Sequence, residues 1–197
     1  MGERQVFQPL TREDRITVIL YRTGIVFSAV IMGALAYLAW TTGTARSGLA
    51  TDLLIYGLHA AVGTSVFFIH LYVSAFHRYL KYLYSISIAC CAALLIIGKG
   101  SLSGALLQSP AGVLLMLPLS GCLGFVTAKE AFCFQLFEGY LLAMIMPLYL
   151  LLVATGSLAG RGASYGLALI AVMLVLFTLR KVFQPLAWDI GDKSAYR

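Results

Sequence analysis

GYLLAMIMPLYLLLVATGSLAGRGASYGLALIAVMLVLFTLRK, residues 139–181, is two long apolar runs joined by one short polar turn and closed by two basic residues. Each run approaches the roughly 20 apolar residues that a helix needs to cross a hydrocarbon core of about 30 Å. Between them, GSLAGRG has the Gly and Ser of a plain turn. In water this hairpin would expose apolar surface on every side, whereas in a bilayer it needs no cover.

The rest of the chain repeats the pattern. Of the 197 residues, 60% are apolar and 11% charged, with a mean hydropathy of +0.90, too little polar surface for a soluble globule of this size. The expected fold is an all-α polytopic transmembrane bundle of six helices, covering residues 16–40, 53–75, 82–98, 111–127, 131–155 and 163–178. No linker is long enough for a soluble module, so residues 1–197 form one integral membrane domain. Before the fourth span, GSLSGALLQSP has room for a short interfacial helix.

Basic residues collect on the cytoplasmic side of membrane proteins. With six spans, Arg4, Arg12, Arg15, Arg22, Arg78, Lys81, Lys129, Arg180, Lys181, Lys193 and Arg197 fall on one side, and only Arg46, Lys99 and Arg161 on the other, which accounts for all 14. Both termini are therefore expected to be cytoplasmic. The net charge of +6 reads as a topology signal and not as a nucleic-acid footprint. The first span follows TREDR, a mixed-charge stretch, and no A-x-A site follows its apolar run, so a cleaved signal peptide is not expected. Thr11 and Asp14 instead have the spacing of a helix-capping box. Cys90, Cys91, Cys122 and Cys133 show neither a CxxC spacing nor a disulfide framework.

Pro118 and Pro147 lie inside the fourth and fifth spans and are expected to kink them. Ser120 with Gly124, and Ala89 with Ala93, put small residues four apart, which suits close helix packing.

Two constellations carry ionisable groups. His59, His70 and His77 fall on one face of the second span when it is extended as a single helix, with Asp52 and Lys81 near the same stripe. Such a stripe suits satisfied helix contacts, a proton or ion path, or ligation of haem or pigment. Bis-histidine haem would need a second helix or a homodimer to supply a ligand, whereas a chlorophyll needs one axial histidine. His70 and His77 are too far apart along a helix to share one metal ion, so a metal would need Glu130, Cys133 or Glu138 beside a single histidine.

The second constellation is Lys129, Glu130, Cys133 and Glu138 at the start of the fifth span. Glu138 needs a partner, for which Arg22, Arg78 and Arg180 are at the right depth. An ion-pair network there is a structural device and equally a frame for an anionic headgroup. Cys133 would be nucleophilic only if Lys129 and a histidine lowered its pKa. No P-loop, GxSxG, HExxH or dinucleotide fingerprint occurs, so enzymatic activity is not expected.

DRITVILYRTG (14–24), IHLYVSAFHRYLK (69–81), TAKEAFCF (127–134) and DIGDKSAYR (189–197) resemble a family of small uncharacterised integral membrane proteins found chiefly in cyanobacteria and related bacteria. The resemblance implies about six spans and no assigned activity. It marks Asp14, Arg15, Tyr21, Arg22, His70, His77, Arg78, Lys129, Glu130, Cys133, Glu138, Arg180, Asp189, Asp192 and Lys193, all toward the cytoplasmic face, and does not mark His59. The expected function is that of a non-enzymatic accessory or assembly factor in the cell inner membrane or thylakoid membrane. Its cytoplasmic rim would bind a membrane complex or pigment. The alternatives are a small proton-coupled transporter or channel using the histidine stripe, and a haem-binding redox protein.

The pentapeptide VFQPL occurs at residues 6–10 and again at 182–186. The copies run in opposite senses relative to the membrane, which excludes tandem duplication. Each places a proline where a helix cannot continue, and so they read as helix punctuation at one surface.

Overall fold

The computed structural model describes residues 11–42, 48–71 and 73–190. Helix α1 (Arg12–Thr42) opens on the expected capping box, with the Asp14 amide donating to Thr11 Oγ1 (3.2 Å) and the Thr11 amide to Asp14 Oδ2 (2.9 Å). Its 31 residues reach about 46 Å at 1.5 Å each, so two to three turns project past a hydrocarbon core of about 30 Å. Val18, Tyr21, Ile25, Ala29, Met32 and Ala36 form its buried stripe at spacings of three and four.

Helix α2 (Leu49–Phe68) packs along α1, closest at Gly24, where a Cβ would lie 2.6 Å from the Ala61 carbonyl oxygen. The second span was expected to continue to residue 75 and the third to begin at 82. Instead α2 ends at Phe68, Ile69 is extended (φ −65°, ψ 133°), and α3 covers Ser74–Ile97. Twenty residues of α2 already cross about 30 Å, and Ile69 turns inward to become a buried core residue. No Gly, Pro or charged residue marks this reversal, so hydropathy runs straight through it.

The segment before the fourth span does form a short helix, α4 (Leu102–Gln108). Ser101 caps it by accepting from the Gly104 amide (3.1 Å), and the buried Asp52 of α2 accepts from the Ser103 amide (2.7 Å). The fourth span itself is α5 (Pro110–Leu114) followed by α6 (Leu117–Phe134). Pro118 therefore sits in the first turn of α6, where its missing N–H is no loss, and not inside a helix that it would kink. The other end of α6 also differs from expectation, because the helix runs on past residue 127 to Phe134 and so carries Lys129, Glu130 and Cys133 on its last two turns, not at the start of the fifth span. The chain turns at Gln135, which is left-handed (φ 55°).

Pro147 is inside α7 (Phe137–Ala154), as expected. Helix α8 (Arg161–Val182) ends ahead of Pro185, and a single turn, α9 (Ala187–Ile190), follows. The first VFQPL copy lies outside the described residues.

Six helices are long and apolar enough to cross a membrane, and no strand occurs among the described residues. Helix α1 packs on α2 and α8, α2 on α6, α6 on α7, and α7 on α8, which closes a ring of five; α3 lies outside it against α2 and α6. At Gly139 a Cβ would overlap the Thr127 carbonyl oxygen and lie 2.9 Å from Ala131 Cβ, so α6 and α7 meet backbone to backbone.

Inside the ring, toward the face away from the described ends of the chain, is an apolar cavity of about 200 Å3. The opposite end of the ring, here termed the basic face, is closed by charge.

A buried chain of charges at the basic face

Five ionised side chains from four helices converge at this end. Lys129 Nζ donates to Glu130 Oε1 (2.8 Å), and the other oxygen of Glu130 pairs with Lys181. Lys181 also pairs with Asp189, whose Oδ2 accepts from Arg22 Nε (2.8 Å). The signs alternate along the chain, positive at Lys129, Lys181 and Arg22 and negative at Glu130 and Asp189. Lys181 and the Glu130 side chain are wholly buried, and Lys129, the most open of the five, is 10% exposed.

Neutral groups complete the cluster. Tyr21 donates its hydroxyl to Glu130 Oε1 (2.7 Å), and the Lys181 ammonium lies 4.0 Å from the centre of the Phe134 ring, a cation–π distance. The Arg22 guanidinium donates to the carbonyl oxygens of Gln184 (2.6 Å), Pro185 (3.1 Å) and Val182 (3.2 Å). Val182 is the last residue of α8, where a cation also meets the negative end of the helix dipole, and Gln184 and Pro185 follow just beyond it. Trp188 stacks on Phe134 with centroids 6.2 Å apart and planes 12° apart. Residues 183–190 are thereby folded back and fastened to α1, α6 and α8.

The local reason is helical phase. Arg22 is four residues after Val18 and three before Ile25, and Glu130 lies four after Val126. Lys181 lies four after Phe177 and seven after Leu174, so all three charges sit on their helices' buried stripes. Each is held there by opposite charge from another helix.

The structure joins Lys129, Glu130, Arg22 and Asp189, all candidates from the sequence, and separates the others. Arg22 was considered as a partner for Glu138 but pairs with Asp189. Glu138 pairs with Arg180 on the outside, where Arg180 is half exposed. Cys133 is exposed on the last turn of α6, and Arg78 is exposed near the start of α3. Asp192 and Lys193 lie outside the described residues.

Lys181, the central cation, was not singled out in the sequence, nor was Tyr21 given a role. The adjacent Arg180–Lys181 pair reads as a solvated helix end, yet 100° of helical rotation places one outside and the other in the core.

The single histidine stripe does not form. His59 is buried on α2, with its Nδ1 3.0 Å from the Ile55 carbonyl oxygen, His70 is in the link after α2, and His77 is on α3. The reversal at residue 69 separates them. His70 Nε2 lies 3.3 Å from Thr17 Oγ1, and its Nδ1 is buried with no hydrogen-bond partner among the described residues. Burial first, and the nearby Lys129 ammonium second, hold its pKa below the ordinary 6.5, against the opposite pull of Asp189 and Asp14. Among the described residues, no group of three or more His, Cys, Asp or Glu is placed to hold a metal ion.

No curated protein and no solved structure matches the chain. Residues 64–197, which include α3 to α9 and every charged member of the cluster except Arg22, match the family described as uncharacterized integral membrane protein (DUF2301). With two thirds of its length matched and six helices able to span a bilayer, the chain belongs to that family of integral membrane proteins.

Proposed function

We propose that this is a non-enzymatic membrane protein that docks a partner membrane complex through its basic face, which is cytoplasmic in the cell inner membrane or thylakoid membrane. The observation that carries the reading is the fastening of residues 183–190 by a buried chain of alternating charges. Buried ion pairs add little stability over apolar packing of the same volume; what they supply is one defined arrangement. Here that arrangement presents exposed aromatics, Phe183 at 84% and Trp188 at 47%, while Phe132 near the end of α6 and Phe137 at the start of α7 are exposed as well. Rigid, exposed aromatics of this kind serve as interface anchors.

The competing use of such residues is as an aromatic belt in the lipid headgroups. Photo-crosslinking separates the two. A benzoylphenylalanine at position 188 in native membranes should give one repeatable protein adduct, absent when the same probe replaces the lipid-facing Tyr37 and lost in Asp189→Ala. Adducts to lipid alone from position 188 would sink the proposal.

A further inference from the structure

We propose that the cavity inside the helix ring is a binding site for one acyl chain of a membrane lipid. Its walls come from α1, α2, α4, α6, α7 and α8 and are almost entirely aliphatic, so it cannot hold ordered water, which needs two to four polar partners. A cavity of about 150 Å3 lined by similar side chains takes up benzene and stays dry, and this one is about 200 Å3.

The shape selects a chain. Along α2 the lining runs from Thr51 to Val62, roughly 16 Å, and along α6 from Met116 to Leu123, roughly 10 Å. That is long for its volume, which lies below the roughly 300 to 1,000 Å3 of sites that enclose compact drug-sized ligands. It suits one flexible chain better than a macrocyclic pigment.

Burial gives the direction. Leu58, Val62, Leu119, Leu123 and Ile170 form a buried floor in mid-bundle, while Leu38, Thr51, Leu106, Met116 and Tyr149 are half-buried around the mouth. Leu38 is four residues from the end of α1 and Thr51 the third residue of α2, so on that side the mouth lies about 6 Å or less below the helix ends, and at Tyr149, five residues before the end of α7, about 8 Å below. A lipid with its headgroup at that surface can lower one chain inward. The break between α5 and α6, with Pro118 just beyond it, leaves Met116 at the rim.

Ser120 is among the residues that line this apolar space. Its Oγ, one helical turn below Met116, is buried and has no hydrogen-bond partner among the described residues. Rotated about its χ1 toward the cavity, a hydroxyl at that depth suits a single acceptor near the head of the chain, such as an ester carbonyl, and this favours an acyl chain over an isoprenoid tail.

The test uses the full-length protein in nanodiscs with a diazirine-bearing fatty-acyl phospholipid, and adducts mapped by mass spectrometry. Adducts should appear on floor residues, and unlabelled phospholipid should compete them away. Leu123→Trp, or Met146→Phe from the facing wall, should reduce floor labelling at least tenfold. Adducts on the lipid-facing Ile86 and Ile88 of α3 should stay unchanged, which shows that the variant is folded. Floor labelling that tracks the α3 surface, or survives both variants, overturns the site. Stronger floor labelling by a polyprenyl diazirine probe overturns the acyl assignment.

Discussion

The Lys181 ammonium and the Asp189 carboxylate, eight positions apart and both closed off from solvent, hold the chain after α8 folded back against the bundle. Removing Asp189 takes away the one carboxylate that Arg22 pairs with among the described residues and leaves Lys181 with Glu130 alone. Asp189→Ala should therefore cost about 3–5 kcal/mol, the usual penalty for breaking a buried pair from one side. It should lower the melting midpoint in detergent and make residues 183–190 the first site of proteolysis. Arg180→Ala removes a half-exposed pair with Glu138 and should cost about 1 kcal/mol or less. Equal losses in the two variants would refute the distinction.

His70 gives the protein a pH response with a definite sign. Burial and Lys129 hold its native pKa below 6.5, so in the window beneath 6.5 the unfolded chain binds a proton that the folded chain does not. Stability is then unaffected by His70 above pH 6.5 and declines as pH falls through that window toward the native pKa. Melting followed between pH 7.5 and 5.5 should show this decline, and His70→Gln should make it shallower. A variant with the same slope as the parent would exclude His70 as its source.

The α6–α7 contact depends on hydrogen at one position. Gly139→Ala places a methyl group against the Thr127 carbonyl and 2.9 Å from Ala131 Cβ, and backbone cannot move aside as a flexible side chain does. The cost should be about 1–3 kcal/mol, as for overpacked cores. Gly33→Ala, with nothing within 4 Å of the added carbon, should be neutral or slightly stabilising when the two are compared by thermal melting.

Gln135 adopts the left-handed conformation that ends α6, at φ 55°. A residue with a Cβ there costs roughly 1–2 kcal/mol, which glycine avoids. Gln135→Gly should raise the melting midpoint, less a few tenths of a kcal/mol for the added freedom of the unfolded chain. No gain, or a loss, would mean that the Gln135 side chain contributes more than its backbone costs.

What could be read in advance divides along physical lines. The six spans and the return of both described ends to one surface follow from the lengths of apolar runs, which the bilayer enforces. The reversal at Ile69 was hidden because IHLYVSAF is apolar on both sides of the turn. The extent of α6 was hidden for the opposite reason, since Lys129 and Glu130 suggest a loop while their helix continues to Phe134. Charge alone indicates exposure, and only phase combined with a partner on another helix indicates burial. Lys181 met the phase criterion, yet Glu130 and Asp189, its partners, are 51 and 8 positions away in the chain. Asp189 has no local signal of its own, being in a helix of four residues that the pairing itself positions.

Arg22 and Asp189 are 167 positions apart, so α1 carries a charge whose partner is synthesised long after it. Until α8 and the segment after it have emerged, the guanidinium on α1 must stay near water or borrow a transient companion. A chain that stops short of Asp189 keeps its six apolar helices but leaves Arg22 and Lys181 without that counter-charge. The basic face can therefore close as described only after α8 and the turn that follows it have been made.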